Sequence, residues 1–144
     1  MLGEHRVAAV VCYEAIHAAA VSSLVDDDTD LPLTVANHGW FRGSSERELH
    51  LAMARFRAIE HRRFMVLATT YGISAIVSPP GVITARSSKD RMGTLRGRIE
   101  WLRGSTVYSR YGFAWPYLGF AVIIVLCWLT RCHLVGTEPG SRAK

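Results

Sequence analysis

Val7-Ala8-Ala9-Val10-Val11-Cys12-Tyr13-Glu14 is the stretch on which the reading of the fold turns. Val7–Cys12 is short, uniformly apolar and rich in β-branched residues, which reads as a strand buried on both faces. Tyr13–Leu24 (YEAIHAAAVSSL) follows at once and is Ala-rich and helical in character. A strand passing straight into a helix puts Cys12 at the apex of the turn between them. Backbone N–H groups at such a place favour a thiolate and can hold an oxyanion. Read alone, Cys12 is either such a reactive thiol or a buried hydrophobe, and Glu14 is a first-turn acid favoured by the helix dipole.

Outward from there the pattern repeats. Asp26–Asp30 (DDDTD) is an acidic, solvated loop that lacks the glycine and distal Glu of a calcium site, so no metal is expected. Leu31–Asn37 reads as a second buried strand. Ser45–Arg62 reads as the clearest helix, with Ser45 and Glu48 as a capping box. Leu49, Met53, Phe56 and Ile59 form its core-facing stripe, and Arg47, Arg55 and Arg62 its remaining surface. Phe64–Thr70 and Ile73–Ser78 are strands joined at Tyr71-Gly72, Pro79-Pro80-Gly81 is a turn, and Val82–Arg86 is a further strand. Ser87–Ser105 is a polar, Gly- and Arg-rich loop with a short strand near Leu95–Trp101. The order βαβαβββ predicts an α/β layered domain over residues 1–112 with few strands for a closed core.

The chain has 144 residues, 49% apolar and 20% charged, which is one domain's worth of globular sequence and no disordered tail. Its net charge of +5 comes from 17 basic residues, nearly all Arg and scattered without interleaved aromatics, so nucleic acid is not expected. Cys12, Cys127 and Cys132 fit neither a zinc site nor a disulfide framework. From Phe113 to Thr130 no residue is charged, and as a helix this run is ~27 Å long at ~1.5 Å per residue. Arg110 precedes it, Arg131 and His133 follow, and Trp115, Tyr117 and Trp128 sit near its ends, so a transmembrane helix over 113–132 is expected. Pro116 lies in its first turn, where it is tolerated. Cys127 and Cys132 point to different faces of it. Arg131, Arg142 and Lys144 make 133–144 a short basic tail on the cytoplasmic side. Val7–Cys12 is too short for an export signal, so only spans upstream of this segment would carry residues 1–112 across a membrane.

Several motifs lie in one order along the chain. Cys12-Tyr13-Glu14 after an apolar strand resembles the nucleophile motif of the nitrilase (carbon–nitrogen hydrolase) superfamily. Asn37-His38-Gly39-Trp40-Phe41 is similar to the Asn-Asp-x-Trp-Phe of bacterial apolipoprotein N-acyltransferases. His50 through Glu60 is similar to their Gln-His-x-x-x-Ala-Arg-x-Arg-Ala-x-Glu helix. Thr70-Tyr71-Gly72-Ile73-Ser74-Ala75, Pro80-Gly81 and Thr106-Val107-Tyr108 with Arg110, Tyr111 and Gly112 extend the likeness to the terminal apolar run. The chain thus resembles the C-terminal part of that family: part of a nitrilase-like αββα sandwich followed by one transmembrane helix.

The resemblance implies a bacterial inner-membrane enzyme, extracytoplasmic in its soluble part, that needs no cofactor. It moves an acyl chain from a phospholipid, through a Cys thioester, to the N-terminal amine of a lipoprotein. Cys12 is then the nucleophile, the Tyr13 N–H part of the oxyanion hole and Glu14 a support for the turn, with Trp40 and Phe41 on a loop near the pocket. As bare residues those two aromatics are more often core or rim than substrate contacts. The sequence also departs from the family. The family's base Glu and its Lys lie well upstream of the Cys, whereas Glu4, Lys89 and Lys144 stand in no matching context, and His38 replaces an acid. The isolated chain is therefore expected to have little or no activity. Two other readings stay open: a non-catalytic, membrane-tethered module pairing with a separately encoded N-terminal half, and a nitrilase-like amidase fragment.

Overall fold

Val7, Ala9 and Val11 align in parallel register with Leu31, Leu33 and Val35, and Leu33 and Val35 in turn with Val66 and Ala68. This computed structural model describes residues 3–41, 43–88, 93–112 and 114–135, the last four of these by backbone alone. β1 (Val7–Val11), β2 (Leu31–Asn37) and β3 (Met65–Thr70) form the parallel half of a five-stranded sheet. β4 (Ala75–Val77) and β5 (Ile83–Arg86) add antiparallel strands, giving a mixed sheet in the order β1-β2-β3-β4-β5. The 79–81 turn between β4 and β5 closes with the Gly81 N–H on the Ser78 carbonyl.

Two helices cover one side. Ala-rich α1 (Ala18–Leu24) and the turn before it enclose Val10, Ala15, Val21 and Val25. α2 (Glu46–His61) lays Leu51, Ala54 and Ala58 on Met65, Leu67, Ile73 and Val77. The small Ala54 and Ala58 let the α2 backbone come close to the sheet, and close packing supplies most of a helix's stability. The stripe expected to face the core does not: Leu49, Phe56 and Ile59 are about half exposed, while Arg47, His50, Arg57 and His61 are buried. The expected capping box is also absent. Ser44 Oγ instead accepts from the Glu46 N–H at 3.3 Å, and Glu48 pairs with Arg86 at 2.8 Å. At the other end Arg62 closes the helix in a left-handed conformation (φ +49°).

Among the described residues the opposite side of the sheet is covered only in part: Leu31 and Ile76 on it are buried, whereas Val11 and Val35 are 59% and 50% exposed, so β1 and β2 are buried on one face rather than both at their carboxyl ends. The expected single helix over 13–24 is broken at His17, whose extended backbone (ψ 106°) separates a 3-10 turn, Cys12–Ile16, from α1. No strand forms near Leu95–Trp101; the segment is irregular, and Gly97 lies so close to the sheet that a Cβ there would meet Ile76 Cδ1 at 2.6 Å.

The acidic loop is built into the fold rather than solvated throughout. Thr29 and Asp30 are buried. Arg103 grips Asp30 through Nε (2.7 Å) and Nη2 (2.9 Å), and the Arg6 N–H adds a third bond at 2.7 Å. The Arg103 guanidinium foremost holds the Asp30 carboxyl well below the usual carboxylate range. Arg63, also buried, donates to the carbonyls of Asp26 (2.9 Å), Asp27 (3.3 Å), Leu102 (3.1 Å) and Gly104. It staples the loop to the 101–104 segment, where Trp101 stacks on His5 at 4.0 Å.

After the irregular segment comes a short helix, α3 (Val107–Tyr111), and the chain divides into two compact units, Met1–Arg110 and Tyr111–Lys144. The second contains α4 (Trp115–Val135), helical as expected. Among the described residues, however, no helix is long and apolar enough to cross a membrane. The uncharged stretch described there, Trp115–Thr130, is about 24 Å long at ~1.5 Å per residue, against a hydrocarbon core of ~30 Å. Phe113, the side chain of Cys132 and residues 136–144 of the expected basic tail lie outside the described residues.

Candidate active site

Cys12 stands where β1 ends, in a left-handed backbone conformation with φ +50°. A non-glycine residue pays strain of order 1–2 kcal/mol there, and such outliers persist only where the surroundings enforce them. The enforcing contacts are visible. The Glu14 carboxylate accepts from the Val11 N–H at 2.8 Å, folding back across the turn, and the His17 N–H closes it on the Glu14 carbonyl at 3.0 Å. The thiol is partly exposed.

Tyr13 ties the turn to α2: its hydroxyl donates to Glu46 Oε1 at 3.1 Å, and its ring packs edge-on against His50 (5.3 Å) and Phe41 (5.9 Å). Partial burial first, then the Glu46 carboxylate, raises the Tyr13 pKa, so the hydroxyl stays a donor. Phe41 closes a short 3-10 turn, Gly39–Phe41, that follows β2. Asn37 Oδ1 accepts from the Gly39 N–H at 3.0 Å and the His38 N–H donates to the Thr70 carbonyl at 2.8 Å, fixing this turn to the end of β3. Trp40 points away, 88% exposed.

Cys12, Tyr13, Glu14 and Phe41 thus gather at the carboxyl ends of the parallel strands, the edge at which open α/β sheets bind ligands. Trp40 shares the loop without joining the contacts. What the residue pattern did not disclose is a pair of buried histidines, His38 and His50, in contact at 2.6 Å, and the role of Glu46 as the acceptor for Tyr13. The two histidines stand twelve positions apart, and no helical or strand period links them.

A partly exposed thiol on a strained turn after the first parallel strand of a mixed sheet is the layout of a nitrilase-like α/β domain. Residues 2–103 match the carbon-nitrogen hydrolase family, and the chain belongs to it. The carbon-nitrogen hydrolase of Helicobacter pylori G27 superposes with a TM-score of 0.56 at 13% identity, over 63% of this chain and 39% of that one. Saccharomyces cerevisiae Nit3, a member of branch 10 of the nitrilase superfamily, gives 0.50 at 18%, over 58% and 33%. By sequence the chain is 35% identical to the apolipoprotein N-acyltransferase of Azotobacter vinelandii over 94% of its length, and 34% identical to that of Pseudomonas aeruginosa PAO1 over 85%. It spans only about a quarter of those relatives, 26% and 24%.

Proposed function

We propose that this chain is the C-terminal part of a bacterial apolipoprotein N-acyltransferase of the inner membrane, with Cys12 as its nucleophile. The observation that carries the reading is Cys12 held at φ +50° by the Glu14–Val11 bond at the end of β1. The Cys12 thiolate attacks a phospholipid ester carbonyl, the C–O bond breaks, and the lysophospholipid leaves as an alcohol once it gains the thiol's proton. The α-amine of a lipoprotein's N-terminal cysteine then attacks the thioester, the C–S bond breaks, and the amine's proton returns to the thiol. Backbone N–H groups of the turn, that of Tyr13 among them, face the oxyanion in both steps.

The base and the ammonium that such a step needs come from a segment other than these residues, either upstream in a longer chain or separately encoded. Its second sheet packs on the open face around Val11, Val35 and Ala68. The seat in lipid is α4, where Leu118, Phe120, Ile123, Ile124 and Leu126 are each more than half exposed. Incubating the chain, with and without that segment, with radiolabelled phospholipid in micelles tests the reading. Base-labile label at Cys12 is expected only in the assembled form and is lost in Cys12→Ala. Label that persists in Cys12→Ala overturns the assignment.

A further inference from the structure

Two imidazoles meet beside the turn that carries Cys12. His38, just past β2, and His50, on α2, are 0% and 2% exposed. Their Nε2 and Nδ1 atoms lie 2.6 Å apart and the rings cross at 62°. One hydrogen fills that gap, so the contact forms with both rings neutral, one donating and one accepting. A further proton goes to an outer nitrogen, His38 Nδ1 or His50 Nε2, and both are buried with no partner among the described residues. At Gly72 even a Cβ would stand 2.3 Å from His38 Nδ1, so there is no space there for water.

The charged and titratable groups facing the pair offer little relief. The Glu46 carboxylate of α2 accepts from the Tyr13 hydroxyl through Oε1 and favours a charge on both imidazoles, but less than their burial opposes it. Arg47 of α2, bonded to the carbonyl of Tyr71 in the β3–β4 turn, carries the same sign as an imidazolium. Burial foremost holds both imidazoles below their ordinary range, with the facing His50 and then Arg47 adding to the effect at His38 and Glu46 opposing it at both.

We propose that the His38–His50 pair is a positioning element for Cys12 that works only while unprotonated: packed on Tyr13 and Phe41, the neutral pair holds the nucleophile turn closed, and one added proton releases it. The catalytic meaning of the release rests on the reading of Cys12 given above, whereas the release itself is a property of the turn. Peptide-resolved hydrogen–deuterium exchange on the full chain in micelles reads it without substrate, with residues 11–16 normalised to β3 in the same molecule. Protection of 11–16 is expected to fall ~10-fold per pH unit once the pair ionises. His38→Gln with His50→Asn keeps an amide hydrogen bond without a titrating ring, and its normalised protection stays within about twofold over the same range. His38→Asp supplies a carboxylate for protonated His50 and carries the closed turn to lower pH.

Equal pH dependence in the wild type and the Gln/Asn variant overturns the proposal. So does an imidazole NMR titration of the wild type in which the pair ionises while protection at 11–16 is unchanged, a result that needs no variant to fold. If exchange follows the expected course but radiolabel persists in Cys12→Ala, the positioning element stands and the nucleophile assignment alone falls.

Discussion

His61 is the side chain whose replacement gives the sharpest physical test. It lies in the last turn of α2, 3% exposed, with both ring nitrogens buried and unpartnered among the described residues. Burial first, then the positive Arg63 and Arg57, lowers its pKa from 6.5 to about 4. Between those two values the unfolded chain binds a proton that the folded chain refuses, so stability rises with pH. The contribution is present in full above pH 6.5 and is lost as pH falls through the folded value of about 4. At ~1.4 kcal/mol per pH unit the loss comes to about 3 kcal/mol. His61→Leu removes the titration and leaves no unpaired polar atom, so near pH 7 it is expected to lie within ~1 kcal/mol of the wild type or to exceed it. Urea unfolding of both chains in micelles, followed by far-ultraviolet circular dichroism from neutral to mildly acid pH, measures the difference. The curves should diverge on acidification, with the variant the more stable. Parallel curves would show that His61 takes up its proton as easily folded as unfolded, and the argument from burial would fail.

Arg63→Met removes the side chain that bridges residues 26–27 to residues 102–104 and leaves the Leu102 and Gly104 carbonyls without their donor, while those of Asp26 and Asp27 keep the Thr29 and Gly104 N–H groups. It should cost about 2–4 kcal/mol in the same unfolding assay, and a loss below ~1 kcal/mol would mean that water replaces the guanidinium fully. At Cys12 the positive φ makes a specific comparison: Cys12→Gly should be more stable than Cys12→Ala by about 1 kcal/mol, because only Gly adopts that conformation without a Cβ penalty. Equal stability of the two variants would show that the turn is not strained.

Much of the first unit was legible because its signals are local. Val7–Val11 and Leu31–Asn37 announce themselves as apolar runs, and the Tyr71-Gly72 and 79–81 turns lie where Gly and Pro place them. The thiol turn was legible through a resemblance, since nothing in composition separates Cys12 from a buried hydrophobe. The face of α2 was not. Leu49, Met53, Phe56 and Ile59 make a fair apolar stripe, but the sheet took the side with Ala54 and Ala58, where the backbone approaches closely and His50, Arg57 and His61 are enclosed. A stripe on a helix shows that some partner can cover it, not that this sheet does. Likewise β1 and β2 read as buried twice over because their second face is apolar, although at Val11 and Val35 that face is exposed here. The His38–His50 contact and the Arg63 staple join residues 12 to 41 positions apart, and no periodicity encodes such pairings.

The Arg63 staple also sets an order of events. Its guanidinium reaches back 37 residues to Asp26 and forward 41 to Gly104, while Arg103 reaches back 73 to Asp30. Contacts of such separation form late, since the loop entropy of both arms must be lost before either is rewarded. During synthesis the sheet strands are all made before the residues that lock the acidic loop, and these emerge only just ahead of α4. A ribosome that pauses before residue 102 therefore holds a chain in which Arg63 can reach the Asp26 and Asp27 carbonyls and Asp30 the Arg6 N–H, while the half of each grip that closes the acidic loop has still to be made.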